Sequence, residues 1–382
     1  MKFEIFGKEF KSVINRMSGV VPKKSTVFTT ENIKIIAHKN YVEFQSTDYD
    51  SFSSIKIYTR VYEQGETWLH LPEVKKISNI PDDIMMVISE NDVFEIRSAK
   101  KSYEISCNEL SESWITFPVI DSNPLCVCED VELLENLSRL DCFRAKDCPN
   151  SLLTSFYFDF PKHMMVAIDG RRIATAKLSG KYANQDNCFG VIADGSLYAR
   201  LKSLMVKRRL SRTDIKVYAD DTYIYFEGLD WTYTSKVMHG KYYDYEKMIE
   251  PAKSNYDFML KVNSEELKNI AKEYNTVSSK KIMLFCFSGG KLATGVEDDK
   301  YKTSDIIDEF DVEFANSGEW YAGYNPKFIL DACSLFDKDI IIVGKYNSKN
   351  PIMFLGTSYE VLILPCLITE NDIEYVRRQI NS

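Results

Sequence analysis

The sequence lacks the motifs that mark most catalytic and metal sites. It contains no P-loop, no Gly-x-Ser-x-Gly and no dinucleotide-binding fingerprint, and its four histidines are far apart and outside any metal-binding motif. No apolar run approaches the ~18–20 residues needed to cross a bilayer, and the N-terminus carries no apolar signal region. From these absences we expect a cytoplasmic protein that is not an enzyme and needs no metal or cofactor.

Cysteine pairing is also missing. The nine cysteines are an odd number and are scattered without any Cys-x-x-Cys pair, so we interpret them as small buried hydrophobic residues and not as a disulfide framework. A zinc site is the alternative, but its candidates lack a standard ligand spacing. Those candidates are Cys126, Cys128, Cys142 and Cys148.

What the chain does contain is a threefold repeat. A short alternating strand that leads into an amphipathic helix begins at Phe3, Cys126 and Leu260, so the repeat starts lie 123 and 134 residues apart. A second strand-to-helix pattern follows in each repeat, at residues 69–72, 191–193 and 323–326. This period is far longer than the roughly 20–50 residues of a solenoid repeat and is instead the length of a domain.

The repeat predicts an α+β fold of three tandem domains, each with two helices packed on antiparallel sheets. The predicted domains are residues 1–123, 124–252 and 253–382, with linkers near 117–124 and 250–255 and a C-terminal extension at 369–382. Three such units in line leave exposed sheet edges at both ends. Head-to-tail closure into a ring would satisfy those edges, and a monomer with capped edges is the alternative.

Local signals fix several boundaries. Gly19 is predicted to cap the first helix at its C-terminus, Asn263 or Ser264 to cap the first helix of the third repeat, and Gly289-Gly290 to form a hairpin turn.

Charge is distributed unevenly between the predicted helices and the rest of the chain. The net charge is −8, but the six helical patterns together carry +5 and the remainder carries −13. A basic helical lining on an acidic body could hold DNA without binding it everywhere. A simpler explanation of the positive helices is that surface helices are commonly rich in lysine.

Two segments are unusual. One is the turn Asp169-Gly170-Arg171-Arg172-Ile173 between apolar strands, and the other is Thr234-Ser235-Lys236-Val237 followed by residues 240–245, Gly-Lys-Tyr-Tyr-Asp-Tyr. With Met1-Lys2-Phe3, Ser18-Gly19, Gly323-Tyr324-Asn325 and residues 359–365, they occur in the order and spacing of a known family. The chain resembles the bacterial sliding clamp, the β subunit of DNA polymerase III, from end to end.

The resemblance implies a DNA polymerase processivity factor. It implies a head-to-tail homodimer, a six-domain ring whose helices surround double-stranded DNA and contact its phosphates. It also implies as partners the replicative DNA polymerase, a clamp-loader ATPase and other clamp-motif repair or replication proteins. These partners would insert a short peptide into an apolar pocket between the second and third domains.

The resemblance also carries over individual residues. The peptide pocket would comprise Leu153, Ile168, Gly170, Arg171, Arg172, Ile173, Tyr243, Lys247, Met248, Leu362, Leu364, Pro365 and Cys366, with Arg172 orienting the peptide. The DNA-binding residues carried over are Lys24 and Lys75, and Lys202 and Lys207 would substitute for the basic loop that this chain lacks. The dimer would pair the edge strand that carries Lys100, Tyr103 and Ile105 with the region of Thr276 and Val277.

The chain departs from the family pattern in four places. Ala193-Asp194-Gly195 replaces a Pro-Arg-Lys loop, Ser151-Leu152 replaces two tyrosines, and Tyr243 replaces a proline of the pocket wall. The family normally ends near Pro365, whereas this chain continues. We interpret the extension as a frayed, solvated tail; alternatively it forms a helix with Thr369 as its cap and modulates peptide entry.

Two other functions stay open. The lost basic loop would suit a scaffold or regulatory protein of the clamp fold that binds partner peptides with weakened DNA function. An enzyme whose site forms only between domains is a further alternative from a different class.

Overall fold

The computed structural model describes residues 1–21, 28–77, 83–98, 101–107, 114–119, 121–183, 188–205, 212–297, 301–307, 310–315 and 318–381. The chain forms two units, which we call unit 1 and unit 2. Unit 1 comprises residues 1–135 and 179–239, and unit 2 comprises residues 136–178 and 240–382. Among the described residues, no helix is both long and apolar enough to cross a membrane.

The helices and strands recur in the same order in each third of the chain. The helices are α1 (Gly7–Met17), α2 (Leu71–Ile77), α3 (Asp130–Leu140), α4 (Leu197–Leu204), α5 (Glu246–Ser254), α6 (Ser264–Val277), α7 (Pro326–Cys333) and α8 (Glu370–Asn381). The strands of the first third are β1 (Lys2–Phe6), β2 (Asn32–Ala37), β3 (Tyr41–Thr47), β4 (Ser51–Tyr58), β5 (Val61–Glu63), β6 (Gly65–His70), β7 (Ile84–Glu90), β8 (Val93–Arg97) and β9 (Ser102–Ser106). Those of the second are β10 (Cys126–Glu129), β11 (Phe156–Asp159), β12 (Met164–Ile168), β13 (Arg172–Lys177), β14 (Lys181–Tyr182), β15 (Gly190–Ala193), β16 (Asp214–Ala219), β17 (Tyr223–Glu227) and β18 (Trp231–Lys236). Those of the third are β19 (Phe258–Asn263), β20 (Met283–Ser288), β21 (Lys291–Glu297), β22 (Lys302–Ile307), β23 (Phe310–Ala315), β24 (Trp320–Tyr324), β25 (Asp339–Gly344), β26 (Ile352–Leu355) and β27 (Tyr359–Ile363).

The predicted strand-to-helix pairs are all present. They are β1-α1 and β6-α2, then β10-α3 and β15-α4, then β19-α6 and β24-α7. The sheets described below are antiparallel, so the α+β class is confirmed. The domain boundaries predicted from the sequence stay a prediction.

Unit 1 holds two sheets. One has the strand order β5-β1-β7-β8-β9 and the other β14-β10-β16-β17-β18-β4-β3-β2-β6. In the second sheet, β18 from the second repeat pairs with β4 from the first, with Trp231 opposite Ile55 and Ser235 opposite Ser51. The two repeats therefore share one continuous hydrogen-bonded sheet.

Helix α1 packs against α2 and α4 within unit 1. Arg16 is buried on α1 and donates from Nε to the carbonyl of Leu204, 2.8 Å away, and from both terminal nitrogens to Asp230, at 2.7 and 3.0 Å. The hydroxyl of Ser203 donates to the carbonyl of Arg16 at 2.7 Å. These bonds fix the end of α1 to the end of α4.

Gly19 has a different role from the predicted left-handed helix cap. It is absent from the positive-φ glycines of the described chain. A Cβ at this position would lie 1.9 Å from the Oγ of Ser203. Close approach of α4, and not a special backbone conformation, therefore requires glycine here. By contrast, Gly289 and Gly290 have φ of +58° and +77° and form the predicted turn between β20 and β21.

Unit 2 repeats the arrangement of unit 1. Its larger sheet contains β11-β12-β13-β27-β26-β25-β19-β23, and a second sheet has the order β22-β21-β20-β24. Strand β13 of the second repeat pairs with β27 of the third, with Ile173 opposite Leu362. As predicted, Asn263 caps α6, because its side chain accepts a hydrogen bond from the backbone N–H of Glu266 at 2.9 Å.

Two segments differ from the expectation. The linker predicted near 250–255 is largely helical, since α5 runs to Ser254 and contains Pro251. The C-terminal extension is not a frayed tail. It forms α8, whose N-terminus is held by mutual hydrogen bonds of Thr369 and Asp372, and it buries Val376 and Ile380 in a hydrophobic cluster. Binding of an apolar helix stripe to a sheet outweighs the entropy that would otherwise fray a terminus.

We predict that Arg16→Met destabilises the protein by about 3 kcal/mol, because it leaves Asp230 and the Leu204 carbonyl without their partner. Urea unfolding, followed by circular dichroism, measures the change. Arg97→Met is the control, since Arg97 forms an exposed ion pair with Glu95 and its loss should cost less than about 1 kcal/mol. Equal midpoints for the two variants would contradict the prediction.

Candidate peptide-binding site

The turn between β12 and β13 forms the centre of the predicted pocket. The side chain of Asp169 accepts hydrogen bonds from the backbone N–H groups of Arg171 and Arg172, at 2.9 and 3.0 Å. Gly170 has a φ of +89°, in the region that favours glycine, and its Cβ position lies 3.7 Å from Leu153. The Asp-Gly sequence thus sets a tight turn and brings the turn close to Leu153.

Strand pairing places the end of β27 beside this turn. Arg172 lies opposite Ile363 and Ile173 opposite Leu362, and the N–H of Leu364 donates to the carbonyl of Arg171 at 2.9 Å. Cys366 is then held by its N–H, which donates to the carbonyl of Gly323 at 2.7 Å. The register of two distant strands therefore assembles these predicted residues.

A second contact links Tyr243 to the 3-10 turn Ser151–Thr154, which carries Leu153. Asn150 accepts a hydrogen bond from the N–H of Leu152 and donates from its side chain to the Tyr243 hydroxyl, at 3.1 and 2.8 Å. The replacements at residues 151, 152 and 243 thus lie in one contact group. Tyr243 is tethered to this turn, which the proline of the family pattern could not do.

Arg172 is buried in a polar and aromatic network. Its Nε donates to Asp169 at 2.7 Å and its Nη1 to Asp331 at 2.8 Å, while Nη2 donates to the carbonyl of Cys142. The guanidinium also lies over the rings of Phe143 and Phe328, at 4.8 and 4.2 Å from their centroids. All three guanidinium nitrogens thus donate to protein groups, so Arg172 ties the turn to α7 and to the Cys142 carbonyl.

Burial separates the predicted pocket residues into two groups. Ile168, Ile173 and Leu362 are core residues that support the turn from below. Leu364 and Met248, in contrast, are 44% and 41% exposed. Only the second kind can offer apolar surface to a peptide.

Arg171 and Cys366 form the polar side of this region. Arg171 is exposed. Burial raises the pKa of the Cys366 thiol, and the positive charge of Arg171 acts in the opposite direction. The thiol therefore stays protonated and uncharged at neutral pH, and the site offers the positive charge of Arg171.

Helix α5 carries the two predicted residues Lys247 and Met248. Lys247 is exposed and forms an ion pair with Asp244 at 2.8 Å. Within the described residues, α5 packs chiefly on β25 and β26. The part of Lys247 and Met248 in the pocket stays a prediction.

The predicted DNA-binding residues are only partly described. Lys75 is exposed on α2 and Lys202 is exposed on α4, where its ammonium lies 5.2 Å from the ring centroid of Tyr198. Lys24 and Lys207 lie outside the described residues. Since α1 packs against both α2 and α4, the described lysines belong to one helical layer of unit 1.

Asp194 of the altered loop has a structural role. Its carboxylate accepts a hydrogen bond at 2.8 Å from the N–H of Ser196, just before α4. A carboxylate at a helix N-terminus is favourable, because it satisfies a free N–H and complements the helix dipole. The residue that removes positive charge from this loop therefore also stabilises α4.

The predicted dimer residues lie on separate elements. Tyr103 and Ile105 are on β9, which ends the sheet of the first repeat, while Thr276 and Val277 form the end of α6. Lys100 lies outside the described residues.

Sequence reasoning missed Asp331 and Asn150. Asp331 comes from α7, 159 residues from Arg172 along the chain, and no local motif marks it as a partner. Asn150 could have been noticed, because asparagine before a short helical turn is a common cap.

The chain was compared with known proteins. No family model matches it. It is 21% identical to the beta sliding clamp of Chlamydia muridarum over 380 residues, which covers 95% of this chain and 98% of that protein. It is 20% identical to the beta sliding clamp of Pseudomonas aeruginosa over 367 residues, covering 91% of this chain and 95% of that protein.

Solved structures give the same result. The β subunit of the DNA polymerase of Streptococcus pyogenes superposes with a TM-score of 0.86 at 14% identity, covering 96% of this chain and all of that one. The Helicobacter pylori beta clamp bound to a DNA ligase peptide has a TM-score of 0.78 at 18% identity and the same coverage. The chain has the sliding-clamp fold. The resemblance predicted from the sequence is thereby confirmed.

We predict that Arg172→Met lowers the stability of unit 2 by about 3 kcal/mol, since Asp169, Asp331 and the Cys142 carbonyl lose a buried partner. Arg171→Met is the matched control and should unfold like the parent protein, because Arg171 is exposed. Chemical denaturation of both variants checks this. Equal losses at the two positions would refute the structural role of Arg172.

Proposed function

We propose that this protein is a DNA polymerase processivity factor, a sliding clamp that encircles duplex DNA and tethers clamp-motif proteins. The observation that carries the proposal is similarity to beta sliding clamps over nearly the whole chain, in sequence and in fold. A match of this extent spans all three repeats, and not one shared domain. Fold alone would not imply function.

Strand pairing supports closure into a homodimeric ring. Each internal junction joins an edge strand of one repeat to an edge strand of the next, β18 to β4 and β27 to β13. The corresponding strands of the outer repeats are β9 and β22, and each ends its sheet among the described residues. A second copy could pair its β9 with β22 at both ends, which closes the ring without leaving an edge.

Helix α6 supports the same assignment. Tyr274 on α6 donates its hydroxyl to Asp305 of β22, so the end of the helix that carries Thr276 and Val277 lies beside this edge strand. Both residues retain exposed surface. The dimer residues inferred from the family resemblance would therefore face an incoming β9 that carries Tyr103 and Ile105.

DNA contact would come from the helical layer of unit 1. Lys8 on α1, Lys75 on α2 and Lys202 on α4 are exposed, and lysines of this kind bind phosphates without reading base sequence. We expect such contact to be weak, so that the ring slides and its topology retains it on DNA. A clamp-loader ATPase would open one interface of the ring.

Peptide binding would use apolar side chains of unit 2 that retain surface. The half-buried Leu153 and the exposed Met248 and Leu364 would bury the apolar anchors of a partner peptide. The replicative polymerase and other clamp-motif proteins would share this pocket. The hydrogen bond between Asn150 and Tyr243 would make this wall of the pocket different from that of the family pattern, which has a proline at position 243.

A scaffold of the clamp fold with weakened DNA function is the second candidate. Asp194 favours it, because this exposed carboxylate stands where the family pattern has positive charge. The hydrogen bond from the N–H of Ser196 to Asp194 offers a different, structural reason for an aspartate at this position. Retention on DNA distinguishes the two functions.

We expect the loaded protein to remain on nicked circular DNA and to slide off the same DNA after linearisation. Gel filtration of labelled protein with each DNA measures this, and Lys202→Glu should shorten retention on circles because it reverses a charge near the phosphates. Lys216→Glu is the control, since Lys216 lies on β16 and pairs with Glu227. Equal loss from both DNA forms would favour the scaffold.

We also expect Leu364→Asp to weaken binding of a clamp-motif peptide at least tenfold, because a charge would replace buried apolar contact. Fluorescence anisotropy with a labelled peptide measures the affinity. Leu229→Asp is the control, as Leu229 is 66% exposed in unit 1 and outside the pocket. Unchanged binding by Leu364→Asp would remove this surface from the pocket.

A further inference from the structure

The C-terminal helix α8 covers the face of the β20–β22 sheet that lies opposite α6. Val376 and Ile380 pack on Leu284, Cys286 and Ala293. A Cβ at Gly295 would lie 3.1 Å from the ring of Tyr375, so a side chain there would crowd the ring. The helix is therefore seated on a surface that fits it.

The first repeat lacks such a surface. The first and third repeats can be aligned on the last residue pair of a hairpin that both contain, which is Thr47–Phe52 in β3–β4 and Glu297–Lys302 in β21–β22. In this alignment the positions of Leu284, Ala293 and Gly295 correspond to Lys34, Glu43 and Gln45. Polar residues thus occupy three of the four places beneath α8, and Ile36 occupies the fourth, that of Cys286. The first repeat therefore offers a less suitable surface for this helix on that face.

Helix α8 has two distinct edges. Arg377 faces β24, where its Nε donates to the hydroxyl of Tyr321 at 3.0 Å. The other edge faces β22, since the ammonium of Lys302 lies 5.9 Å from the ring centroid of Tyr375. Arg378 lies three residues beyond Tyr375 on α8, so the two side chains share this edge of the helix.

The strands of both internal junctions pair in the same register. Phe52 is the first residue of β4 that pairs within the β3–β4 hairpin, and across the junction it pairs with Thr234. Thr234 lies two residues beyond Thr232, which is the first residue of β18 that pairs within the β17–β18 hairpin. In unit 2, Ile173 likewise pairs with Leu362, two residues beyond Glu360.

The same offset of two residues predicts the register of the junction with a second copy. Lys302 is the first residue of β22 that pairs within the β21–β22 hairpin, where it lies opposite Glu297. Ser102 is the first residue of β9 that pairs within the β8–β9 hairpin, where it lies opposite Arg97. Lys302 would therefore pair with Glu104 of the second copy, two residues beyond Ser102. Opposite charges then face each other across the junction, which favours pairing.

The faces of the strands agree with this register. Tyr103 lies opposite Ile96, which is buried, so it points to the core side of its sheet and Glu104 points away. On β22, Asp305 bonds to Tyr274 of α6, so Lys302 is on the opposite face, beside α8. A shift by one residue would place Glu104 on the wrong face.

We propose that the β22 edge of α8 is part of the interface with a second copy of this chain, where Arg378, together with Lys302, contacts Glu104 of that copy. This inference rests on the proposed ring closure and extends it. Glu104 is exposed, and Arg378 forms an exposed ion pair with Glu374. Two solved clamps are covered completely, while 96% and 97% of this chain is matched to them.

A charge-reversal cycle tests the contact. Arg378→Glu should weaken the dimer roughly threefold in the parent chain and strengthen it in a Glu104→Lys background, because the same substitution removes an attraction in one and a repulsion in the other. Sedimentation equilibrium measures each dimer dissociation constant. Arg377→Glu is the matched control on the β24 edge and should change neither.

The outcomes separate this inference from the proposed function. A parent chain that stays monomeric at all concentrations would overturn the ring and the α8 contact together. A parent chain that dimerises, but in which Arg378→Glu acts like Arg377→Glu or equally in both backgrounds, would overturn the α8 contact alone. Opposite effects of Arg378→Glu in the two backgrounds would support it.

Discussion

The structure depends on antiparallel strand pairing between repeats. At β4–β18 in unit 1 and at β13–β27 in unit 2, backbone hydrogen bonds continue a sheet from one repeat into the next. Such a junction satisfies backbone donors and acceptors that a separate domain would leave at an open edge. Each unit therefore contains parts of two repeats, and its core does not end where the sequence repeat ends.

Buried arginines tie the helices and turns to these sheets. In unit 1, Arg16 connects the end of α1 to α4 and to Asp230, and in unit 2, Arg172 connects the β12–β13 turn to Asp331. Both arginines are almost completely buried, and most of their hydrogen-bond partners are distant in sequence. Planar, multidentate donors suit this role, for which lysine would be a poor replacement.

The candidate site could be predicted only in part. The Asp169-Gly170 turn was visible, because a residue with positive φ and a side chain that accepts from the next N–H groups leave a local signature. The role of Arg172 was not visible, since Asp331 and the Cys142 carbonyl reach it only through folding. Leu364 and Leu362 look alike in sequence, yet Leu362 lies within β27 and is buried, whereas Leu364 follows the end of that strand and is exposed.

By itself the sequence determined the α+β class, the threefold repeat and the position of each strand-to-helix pair, because periodicity, caps and turn residues act over a few neighbouring positions. Tertiary structure decided what those local rules cannot reach. The packing of α8 on small residues of β20 and β21, the need for glycine at position 19 and the register that joins the repeats depend on contacts between residues far apart in the chain. Only the folded chain brings these residues within van der Waals and hydrogen-bonding distance.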